Sequence, residues 1–327
     1  MAKRVALALG SGGARGYAHI GVLNELGRRG YDVVGIAGSS MGALVGGLFA
    51  AGNLDEFTEW ATTLTGPAML RLLDPSISAS GVFRASKILD AVREILGEVT
   101  IEDLPFPYTA VTTDLIAGRS VWLQRGPLDE AIRASIAIPG VIAPHVLDGR
   151  MLADGGILDP LPIAPIAGAG ADFTVAVSVS GMEADVSDDG EGAGARPTRE
   201  RLNRLRRSTS ALLDRFNIGG ASLDINELDG DDPADDDELT DNAPGAAVPK
   251  LRSFAVMMRT IDIAQAALAR HQMAAYPPDV LIEVPRTACR SLDFHRATEL
   301  IDLGRELAAR ALDRFDGADA GEDLRDE

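Results

Sequence analysis

The sequence predicts an α/β fold, a three-layer sandwich in which helices flank a mainly parallel central sheet. Short apolar runs of strand length alternate with segments of helical spacing along the first half of the chain. This alternation favours a parallel sheet, because two neighbouring parallel strands need a long crossover connection, usually a helix. The chain of 327 residues, 46% of them hydrophobic, is long enough to bury a substantial core.

Two α/β units open the chain. Residues 5–9 form an apolar run that predicts a strand, the glycine-rich segment GSGGARG follows at 10–16, and residues 17–29 have helical spacing. Residues 33–37 predict a second buried strand and residues 41–51 the helix after it. Both strand-to-helix connections are rich in glycine.

The later elements follow the same two patterns. Further helices are predicted where apolar residues recur at helical spacing, at 54–64, 87–96, 128–137, 251–275 and 297–315. Further strands are predicted at apolar runs bounded by turn residues, at 108–115, 120–124, 172–179 and 280–284. The turn-forming pair Ala117-Gly118 joins the first two of these strands, and Pro139 stops the helix 128–137.

The segment 181–249 has a different texture from the rest of the chain. Its stretches DDGEGAGARPT and LDGDDPADDDELTDNAPGAA contain too few large apolar residues to fold by themselves. We therefore predict a single domain made of 1–180 and 250–316, interrupted by an acidic, largely mobile insertion at 181–249. The tail 317–327, rich in acidic and small residues, is predicted to be disordered.

One stretch inside the insertion, RERLNRLRRSTSALLDRF at 199–216, has an amphipathic helical pattern with arginines on the polar side. Its apolar face is made of Leu202, Leu205, Leu212, Leu213 and Phe216. Three placements are open for this helix: packing on the body of the protein, lying on a membrane surface, or covering the candidate site. We favour packing on the body over a membrane role.

The chain carries a formal net charge of −18, with lysine at only three positions and aspartate in excess of glutamate. Such self-repulsion is screened at about 1 M salt, where the Debye length is about 3 Å. The bias resembles that of proteins from salt-accumulating halophiles. An acidic face for a basic partner ranks lower, because acidic residues occur along most of the chain. Phosphate binding needs a basic patch, so no nucleic-acid partner is expected.

Cysteine content and the N-terminal residues bear on the compartment. The single cysteine, Cys289, excludes an internal disulfide and a cysteine-based zinc cluster. Residues 1–16 lack the charged-then-apolar pattern of a secretory leader. We therefore expect a cytoplasmic protein, peripheral to a membrane if the helix 199–216 binds one.

The stretch GIAGSSMGALVGG contains the pattern Gly38-x-Ser40-x-Gly42. This is the spacing of a nucleophile elbow, in which a serine tops a sharp strand-to-helix turn and the glycines let strand and helix approach closely. The helix that begins at Met41 points its positive end toward the turn and favours negative charge there. A plain strand-to-helix turn is the alternative, because five-residue patterns also arise by chance.

The segment GSGGARG can supply backbone N–H groups to a developing oxyanion, because glycines let successive N–H groups converge on one anion. A phosphate cradle is the rival interpretation. Read from Gly10, however, the dinucleotide pattern G-x-G-x-x-G fails, because Arg15 occupies the position of the last glycine. The Gly-Lys-Ser/Thr of a P-loop does not follow either.

Four histidines are candidates for the base that a nucleophilic serine needs: His19, His145, His271 and His295. Only His295 fits the order Ser, acid, His of ordinary α/β hydrolases, and it lacks a local signature. His19 lies mid-helix beside apolar residues, and we interpret it as a packing histidine. A Ser-His-Asp triad therefore stays open with few candidates.

A carboxylate is the alternative base, and MLADGGILDP offers Asp154. The following Gly155-Gly156 can hold its side chain on a tight turn. A carboxylate in a partly desolvated site has a raised pKa, closer to what a general base needs at neutral pH. Taken alone, the three residues are more simply a turn.

Five blocks occur together in one order: GSGGARG, GSSMG, TTDLIAGRSVWLQRG, ASIAIPGVIAP and LADGGILDPLPI. In sequence and spacing they resemble the patatin-like phospholipases, particularly the bacterial and neuropathy-target-esterase branch. The resemblance covers 6–179, resumes over 252–315 and skips the acidic insertion. It implies a patatin-like version of the predicted three-layer fold.

The resemblance implies a Ser-Asp dyad made of Ser40 and Asp154, with the N–H groups of Gly12 and Gly13 as the oxyanion hole. Arg15 matches the arginine of the family's glycine-rich block. The other glycines of the matching motifs are supporting positions: Gly10, Gly16, Gly38, Gly42, Gly155 and Gly156.

Two residues depart from the family's pattern. Ser11 stands where many relatives begin their glycine triplet, and the donors of Gly12 and Gly13 remain. Asp159 stands where relatives often carry asparagine, which alters the hydrogen bonds available to hold the Asp-Gly-Gly turn. Neither departure removes a catalytic group.

The expected function is therefore that of a serine acyl-ester hydrolase of the lipid acyl hydrolase or lysophospholipase type. We expect no metal and no organic cofactor, and a lipid or another acyl ester as the partner. The alternatives are an acyltransferase on the same site, a nucleotide- or phosphate-binding module that uses the loop 10–16, and a catalytically silent scaffold.

Overall fold

An eight-stranded sheet forms the centre of the described part of the chain, which comprises residues 2–66, 86–181 and 253–323 of the computed structural model. In chain order the strands are β1 (Arg4–Leu9), β2 (Asp32–Ser39), β3 (Tyr108–Asp114), β4 (Arg119–Leu123), β5 (His145–Leu147), β6 (Arg150–Asp154), β7 (Phe173–Gly181) and β8 (Val280–Pro285). Successive hydrogen-bonded neighbours follow the path β5-β6-β3-β2-β1-β7-β8, and β4 pairs with β3 off this path.

The sheet is mainly parallel. Strands β3, β2, β1, β7 and β8 are joined by parallel pairings. Strands β4 and β6 run antiparallel to β3, and β5 runs antiparallel to β6. The prediction of a mainly parallel central sheet is therefore confirmed, and the antiparallel strands are confined to one side of it.

The described α-helices, in chain order, are α1 (Ala18–Arg28), α2 (Met41–Ala50), α3 (Leu54–Thr62), α4 (Ser86–Leu96), α5 (Leu128–Ser135), α6 (Ser253–Ala275) and α7 (Ala297–Asp323). The described residues within Met1–Ala184 and Leu251–Glu327 belong to one compact unit. Apart from Gly181, the predicted insertion and its helix 199–216 lie outside the described residues. Within the described ranges, no helix is long and apolar enough to cross a membrane.

Alternate residues of β1 face two different cores, as the period of two in a strand requires. Val5, Leu7 and Leu9 join the larger core with side chains of α1, α2, α5 and α7. Ala6 and Ala8 join a smaller core with α6 and the segment before β7. Helices therefore cover both faces of the sheet, which is the three-layer arrangement that the sequence predicts.

The hairpin formed by β5 and β6 is not among the predicted strands. Its first strand has only three residues, too few for a period of two to stand out. The turn between the strands is Asp148-Gly149, and both residues have positive φ, 50° and 73°. Asp-Gly between two short runs of alternating residues is a recognised hairpin signal, so the sequence did contain an indication of this turn.

The last helix is longer than expected. The backbone of α7 continues to Asp323, past residue 317, where we expected disorder to begin. Extending an existing helix adds one hydrogen bond for each residue fixed.

Candidate active site

Ser40 lies in the turn between β2 and α2 with an unusual backbone conformation. Its φ of 55° and ψ of −123° are a combination that residues other than glycine rarely adopt. Two glycines make the turn sterically feasible. A Cβ at Gly38 would lie 2.3 Å from the carbonyl oxygen of Gly42, and a Cβ at Gly42 would lie 2.1 Å from that of Leu9. The backbone therefore has the shape of the predicted elbow.

Strand β3 determines where Asp154 lies relative to Ser40. One edge of β3 pairs with β4, and the other edge is shared by β2 and β6. On the shared edge Ser39 pairs with Val111, and Asp154 pairs with the next residue, Thr112. Because β2 runs parallel and β6 antiparallel to β3, the two strands meet end to end. The last residue of β6 is thereby placed beside the residue that follows β2.

The side chains of Ser40 and Asp154 are joined by a hydrogen bond. The Ser40 hydroxyl donates to Oδ2 of Asp154, and both residues are buried. The other carboxylate oxygen, Oδ1, accepts from the N–H of Gly156 at 2.7 Å. Burial raises the pKa of Asp154 to about 6, and the hydrogen bonds from Ser40 and Gly156 oppose that rise. The two sequence-predicted residues are thus brought together in a desolvated pair.

Ser135, the last residue of α5, contacts the same turn and was not among the sequence candidates. The backbone N–H of Ser40 donates to Oγ of Ser135 at 2.9 Å, and that hydroxyl donates to the carbonyl of Val111 at 2.6 Å. The N–H of Ser40 is therefore occupied and is not a free donor. The block ASIAIPG contains this serine, but its contact spans 95 positions and leaves no local pattern.

Residues 11–14, which we call the oxyanion loop after the role that the sequence predicts for them, present backbone donors next to Ser40. The N–H of Ser11 donates to the carbonyl of Pro160, and that of Ala14 donates to the carbonyl of Ser291, each at 2.8 Å. Between them, the N–H groups of Gly12 and Gly13 have no protein acceptor among the described residues. Gly13 and Ser40 line the same cavity.

Both central positions of the oxyanion loop require glycine. A Cβ at Gly12 would lie 2.1 Å from Cγ2 of Val179. A Cβ at Gly13 would lie 2.2 Å from the carbonyl oxygen of Ser291, and the φ of Gly13 is +57°. The loop is therefore pressed against β7 on one side and against the segment before α7 on the other.

Arg15 supports the oxyanion loop through a hydrogen bond to its backbone. Its buried guanidinium donates from Nε to the carbonyl of Gly12 at 3.2 Å, and from Nη2 to Asp262 and to Ser291 at 3.0 Å each. In a planar trans peptide the C=O and N–H point in opposite directions. Fixing the carbonyl of Gly12 toward Arg15 therefore turns the N–H of Gly13 the other way.

His19 also supports this loop. Its ring is fully buried, and Nε2 donates to the carbonyl of Gly10 at 2.8 Å. Burial lowers the pKa of His19 to about 4, although the bond to Gly10 opposes that shift, so the ring is neutral at pH 7. This geometry agrees with the interpretation of His19 as a packing residue.

The other three histidines make no hydrogen bond with Ser40 or Asp154. His145 contacts Glu130 through Nε2 at 2.5 Å. His271 is exposed on α6, and His295 is exposed in the short helical turn before α7. The described contacts therefore favour the carboxylate over a histidine as the partner of Ser40.

The remaining predicted glycines hold the site's segments close together. A Cβ at Gly16 would lie 2.3 Å from Cγ of Met41, at the start of α2. A Cβ at Gly155 would lie 2.2 Å from the carbonyl oxygen of Val111, on β3. The Asp-Gly-Gly turn is thus packed directly on the strand that positions Asp154.

An apolar cavity opens beside Ser40. Its walls come from α2, α3, α4, the segment after α5 and the segment before α7. The apolar lining side chains are Tyr17, Met41, Leu44, Phe57, Trp60, Ile88, Ile136, Ile138, Val141, Ile142, Leu292 and Phe294. An apolar wall next to the Ser40 hydroxyl and to two N–H groups without a described acceptor suits a hydrocarbon chain attached to a carbonyl group.

Comparison with known proteins bears on this geometry. A sequence model of the family described as patatin-like phospholipase matches residues 7–167, a range that contains Ser40, Asp154 and the oxyanion loop. An NTE family protein of Mycobacterium tuberculosis is 62% identical over 339 residues, which cover 96% of this chain and 92% of that protein.

Two animal proteins are similar over a shorter region. Patatin-like phospholipase domain-containing protein 6 of Homo sapiens is 34% identical over 195 residues, which cover 57% of this chain and 14% of that protein. Neuropathy target esterase sws of Drosophila melanogaster is 33% identical over 186 residues, which cover 55% of this chain and 13% of that protein.

Proposed function

Because this chain belongs to the patatin-like phospholipase family, among its NTE proteins, we propose that it is a serine acyl-ester hydrolase with Ser40 as nucleophile and Asp154 as general base. The observation that carries the proposal is the buried hydrogen bond from the Ser40 hydroxyl to the Asp154 carboxylate, beside an apolar cavity. A nucleophile within reach of a base, next to free backbone donors, is what acyl transfer requires.

Asp154 is suited to accept the proton of Ser40. Its pKa, raised to about 6 by burial, leaves the carboxylate ionised at neutral pH and makes it a stronger base than an exposed aspartate. The N–H of Gly156 holds Oδ1, which leaves Oδ2 facing the hydroxyl. In the first step the Ser40 oxygen bonds to the ester carbonyl carbon while its proton passes to Asp154.

The N–H groups of Gly12 and Gly13 stabilise the negative charge that develops on the carbonyl oxygen. The positive end of α2, which begins one residue after Ser40, adds to this stabilisation. Collapse of the intermediate breaks the ester bond, and the alcohol leaves with the proton from Asp154. Water then attacks the acyl group on Ser40 and gives a proton to Asp154. Collapse of this second intermediate releases the carboxylic acid, and the Ser40 oxygen takes the proton back from Asp154.

The oxyanion loop suits one oxygen atom better than a phosphate group. A phosphate cradle converges several successive N–H groups on its anion. Here the N–H groups of Gly10 and Ser11 already donate to the carbonyls of Val177 and Pro160. Only two adjacent donors are left between Ser11 and Ala14, and the cavity beside them is apolar. These contacts support the hydrolase over the nucleotide-binding module.

The apolar cavity supports a lipid acyl chain as the group that binds beside Ser40. Aromatic side chains of Phe57 and Trp60 and branched aliphatic side chains such as Ile138 and Val141 form its walls. We propose esters of fatty acids, of the lysophospholipase type, as substrates. The names of the similar proteins, a phospholipase domain protein and a neuropathy target esterase, support this class of substrate.

Hydrolysis of a short-chain nitrophenyl ester tests the proposed roles, in buffer of about 1 M salt to screen the net charge. We expect Ser40→Ala and Asp154→Ala each to lower kcat by about 10²- to 10⁴-fold. The matched control is His295→Ala, which changes an exposed residue and keeps the wild-type rate. Near-normal kcat in either dyad variant, with normal thermal unfolding, would rule out the proposed mechanism.

A further inference from the structure

We propose that Asp159 and Gln272 form a brace that holds the oxyanion loop and the Asp154 turn in fixed relation, so that both are positioning residues. The inference rests on the proposed function, because it concerns the same site. The brace joins the segment after Asp154 to helix α6. Neither of its two residues bonds to the Ser40 hydroxyl, so each acts through the backbone that it holds.

The first half of the brace is the buried carboxylate of Asp159, which has 8% of its surface exposed. It accepts a hydrogen bond of 2.5 Å from Nε2 of Gln272 on α6. The side chain of Trp122 on β4 acts as a second donor in lowering its pKa. The backbone N–H of Asp159 donates to the carbonyl of Gly155 at 2.8 Å. Groups on two separate elements therefore act on this one side chain.

The second half of the brace is Gln272, which uses both ends of its amide on residues that flank Pro160. Nε2 donates to Asp159, and Oε1 accepts from the N–H of Leu161 at 3.1 Å. The carbonyl of Pro160, held between these two contacts, accepts the N–H of Ser11 at 2.8 Å. The brace thereby fixes the acceptor to which the first residue of the oxyanion loop is bonded.

The same segment carries Asp154 at its other end. The N–H of Gly156 donates to Oδ1 of Asp154 at 2.7 Å. The turn also lies against the oxyanion loop, because a Cβ at Gly156 would be 2.3 Å from Oγ of Ser11. Residues 154–161 thus hold the general base at one end and the acceptor for the oxyanion loop at the other. A displacement of about 1 Å at such a segment is enough to lower a rate about 10²-fold.

A buried carboxylate is a poor means of stabilising a fold, because its desolvation offsets much of what its hydrogen bonds contribute. Burial raises the pKa of Asp159 to about 6, and the donors Gln272 and Trp122 oppose that rise. What the carboxylate does supply is a fixed orientation of the Asp159 side chain, since it can accept from both donors at once. A positioning residue needs such an orientation, and the substitutions below disturb it.

Two single substitutions break the brace by opposite means. Asp159→Asn replaces an acceptor with an amide, so that an NH2 group faces the NH2 group of Gln272 or the side chain of Trp122. Gln272→Glu places a second carboxylate against Asp159, where two negative charges repel each other. Both substitutions keep the size of the side chain, so they change the hydrogen bonding more than the packing.

The double variant Asp159→Asn with Gln272→Glu restores the contacts with reversed polarity. The new amide donates to the new carboxylate, and its oxygen still accepts from Trp122. The second oxygen of the new carboxylate accepts from the N–H of Leu161, as Oε1 of Gln272 does in the native chain. If the two residues act by positioning, kcat should recover in the double variant. Independent losses at the two sites would not give that recovery.

The whole chain of 327 residues is assayed for kcat and KM on a soluble nitrophenyl ester, for fluorophosphonate labelling of Ser40 and for thermal unfolding. We expect each single variant to lower kcat at least about 10-fold with KM changed less than about 3-fold, and the double variant to return to within about 3-fold of native. Arg270→Gln, on an exposed position of the same helix, is the control and keeps the native rate.

Three outcomes would overturn the brace. Single variants within twofold of the native kcat would do so, as would a double variant no better than its parents. The third is a loss of kcat that appears only in preparations in which thermal unfolding shows fewer folded molecules. Trp122→Phe, which removes one donor alone, checks this outcome. Failure of the native protein to label at Ser40 would instead refute the proposed function, and the brace with it.

Discussion

The hydroxyl of Ser40 and the carboxylate of Asp154 are hydrogen-bonded although 114 positions separate them in the chain, and strand β3 is the reason that they meet. Ser39 and Asp154 occupy consecutive pairing positions on one edge of β3. A shift of β6 by one residue would turn Asp154 to the opposite face of the sheet. The site is therefore fixed by sheet register, and its main residues lie at strand ends instead of in free loops.

The pH dependence of the rate follows from the raised pKa of Asp154. The carboxylate must be ionised to accept a proton, and its pKa is about 6. We expect kcat/KM to be constant above about pH 7 and to fall about tenfold per pH unit well below 6. Asp159, whose pKa burial also raises to about 6, adds to the same acidic limb. Steady-state kinetics between pH 4.5 and 8.5, a range chosen around those pKa values, measure this fall in kcat/KM at acidic pH.

A rate that stays constant down to about pH 4.5 would mean that a group of ordinary aspartate pKa, or none, serves as the base. A rate that needs a protonated group, rising as the pH falls, would also contradict the account.

The free energy of unfolding should depend on pH, because Asp154 is ionised in a buried position. An aspartate in an unfolded chain has a pKa of about 3.9, and burial raises that of Asp154 to about 6. The folded state therefore holds its proton more tightly, and stability falls as the pH rises from about 4 to 6. Asp154→Asn removes this loss. We expect the advantage of the variant over the native protein in free energy of unfolding to be about 2 kcal/mol larger at pH 8 than at pH 4.

Urea unfolding of both proteins at the two pH values gives this difference, and the comparison cancels any change in hydrogen bonding that is independent of pH. The same pH dependence in the native protein and in Asp154→Asn would show that the folded-state pKa of Asp154 is close to its unfolded value.

The backbone of Ser40 should store strain that glycine relieves. Its φ of 55° with ψ of −123° is a region almost confined to glycine. We therefore expect Ser40→Gly to be more stable than Ser40→Ala by about 1–2 kcal/mol, after the larger chain entropy of unfolded glycine is taken into account. Both variants lack the hydroxyl, so their comparison isolates the backbone. Equal unfolding midpoints would exclude strain at this residue.

Arg15 should not be replaceable by lysine. Its guanidinium contacts the carbonyl of Gly12, the carboxylate of Asp262 and the hydroxyl of Ser291 at one time. A single ammonium group cannot reproduce this forked geometry. We expect Arg15→Lys to lower kcat at least about 10-fold by freeing the Gly12 carbonyl, with a smaller change in KM.

Arg15→Met is the companion variant. It removes the charge as well and leaves Asp262, whose side chain is 20% exposed, without its partner. It should therefore unfold at a lower urea concentration than Arg15→Lys. A lysine variant with native kcat would show that the oxyanion loop holds its shape without this contact.

The apolar cavity should set the length of the acyl chain. Ile138 lies in its wall, and Ile138→Trp fills part of the space while Ser40 and Asp154 themselves stay unchanged. We expect kcat/KM for a long-chain nitrophenyl ester to fall at least about 10-fold, while that for an acetyl ester stays within about twofold. Ile138→Val is the control, with the long chain still accepted. Equal losses on both esters would place the acyl chain elsewhere.

Local patterns in the sequence were sufficient to predict the alternation of strands and helices and the central parallel sheet. Ser40 and Asp154 stood out because each lies within two residues of a pair of glycines that a tight turn needs, and because their blocks resemble one family. The pairing of β6 with β3 was beyond such patterns. It depends on a hairpin whose strands are short and whose only local signal is Asp148-Gly149.

The supporting residues could not be predicted for a related reason. Ser135 bonds to Ser40 across 95 positions, and Gln272 bonds to Asp159 across 113. Each lies on a helix where a polar residue is ordinary, and only packing in three dimensions brings it to the site. Asp159 was noticed as a departure in its motif, but its donors on α6 and β4 are visible only in the structure.

Covalent labelling tests the central claim most directly. The native protein is treated with a fluorophosphonate, digested, and the modified residue is identified by mass spectrometry. We predict a single adduct on Ser40, and a labelling rate at least about 10²-fold lower in folded Asp154→Ala. An adduct on another residue, or an undiminished rate of labelling at Ser40 without the Asp154 carboxylate, would contradict the account.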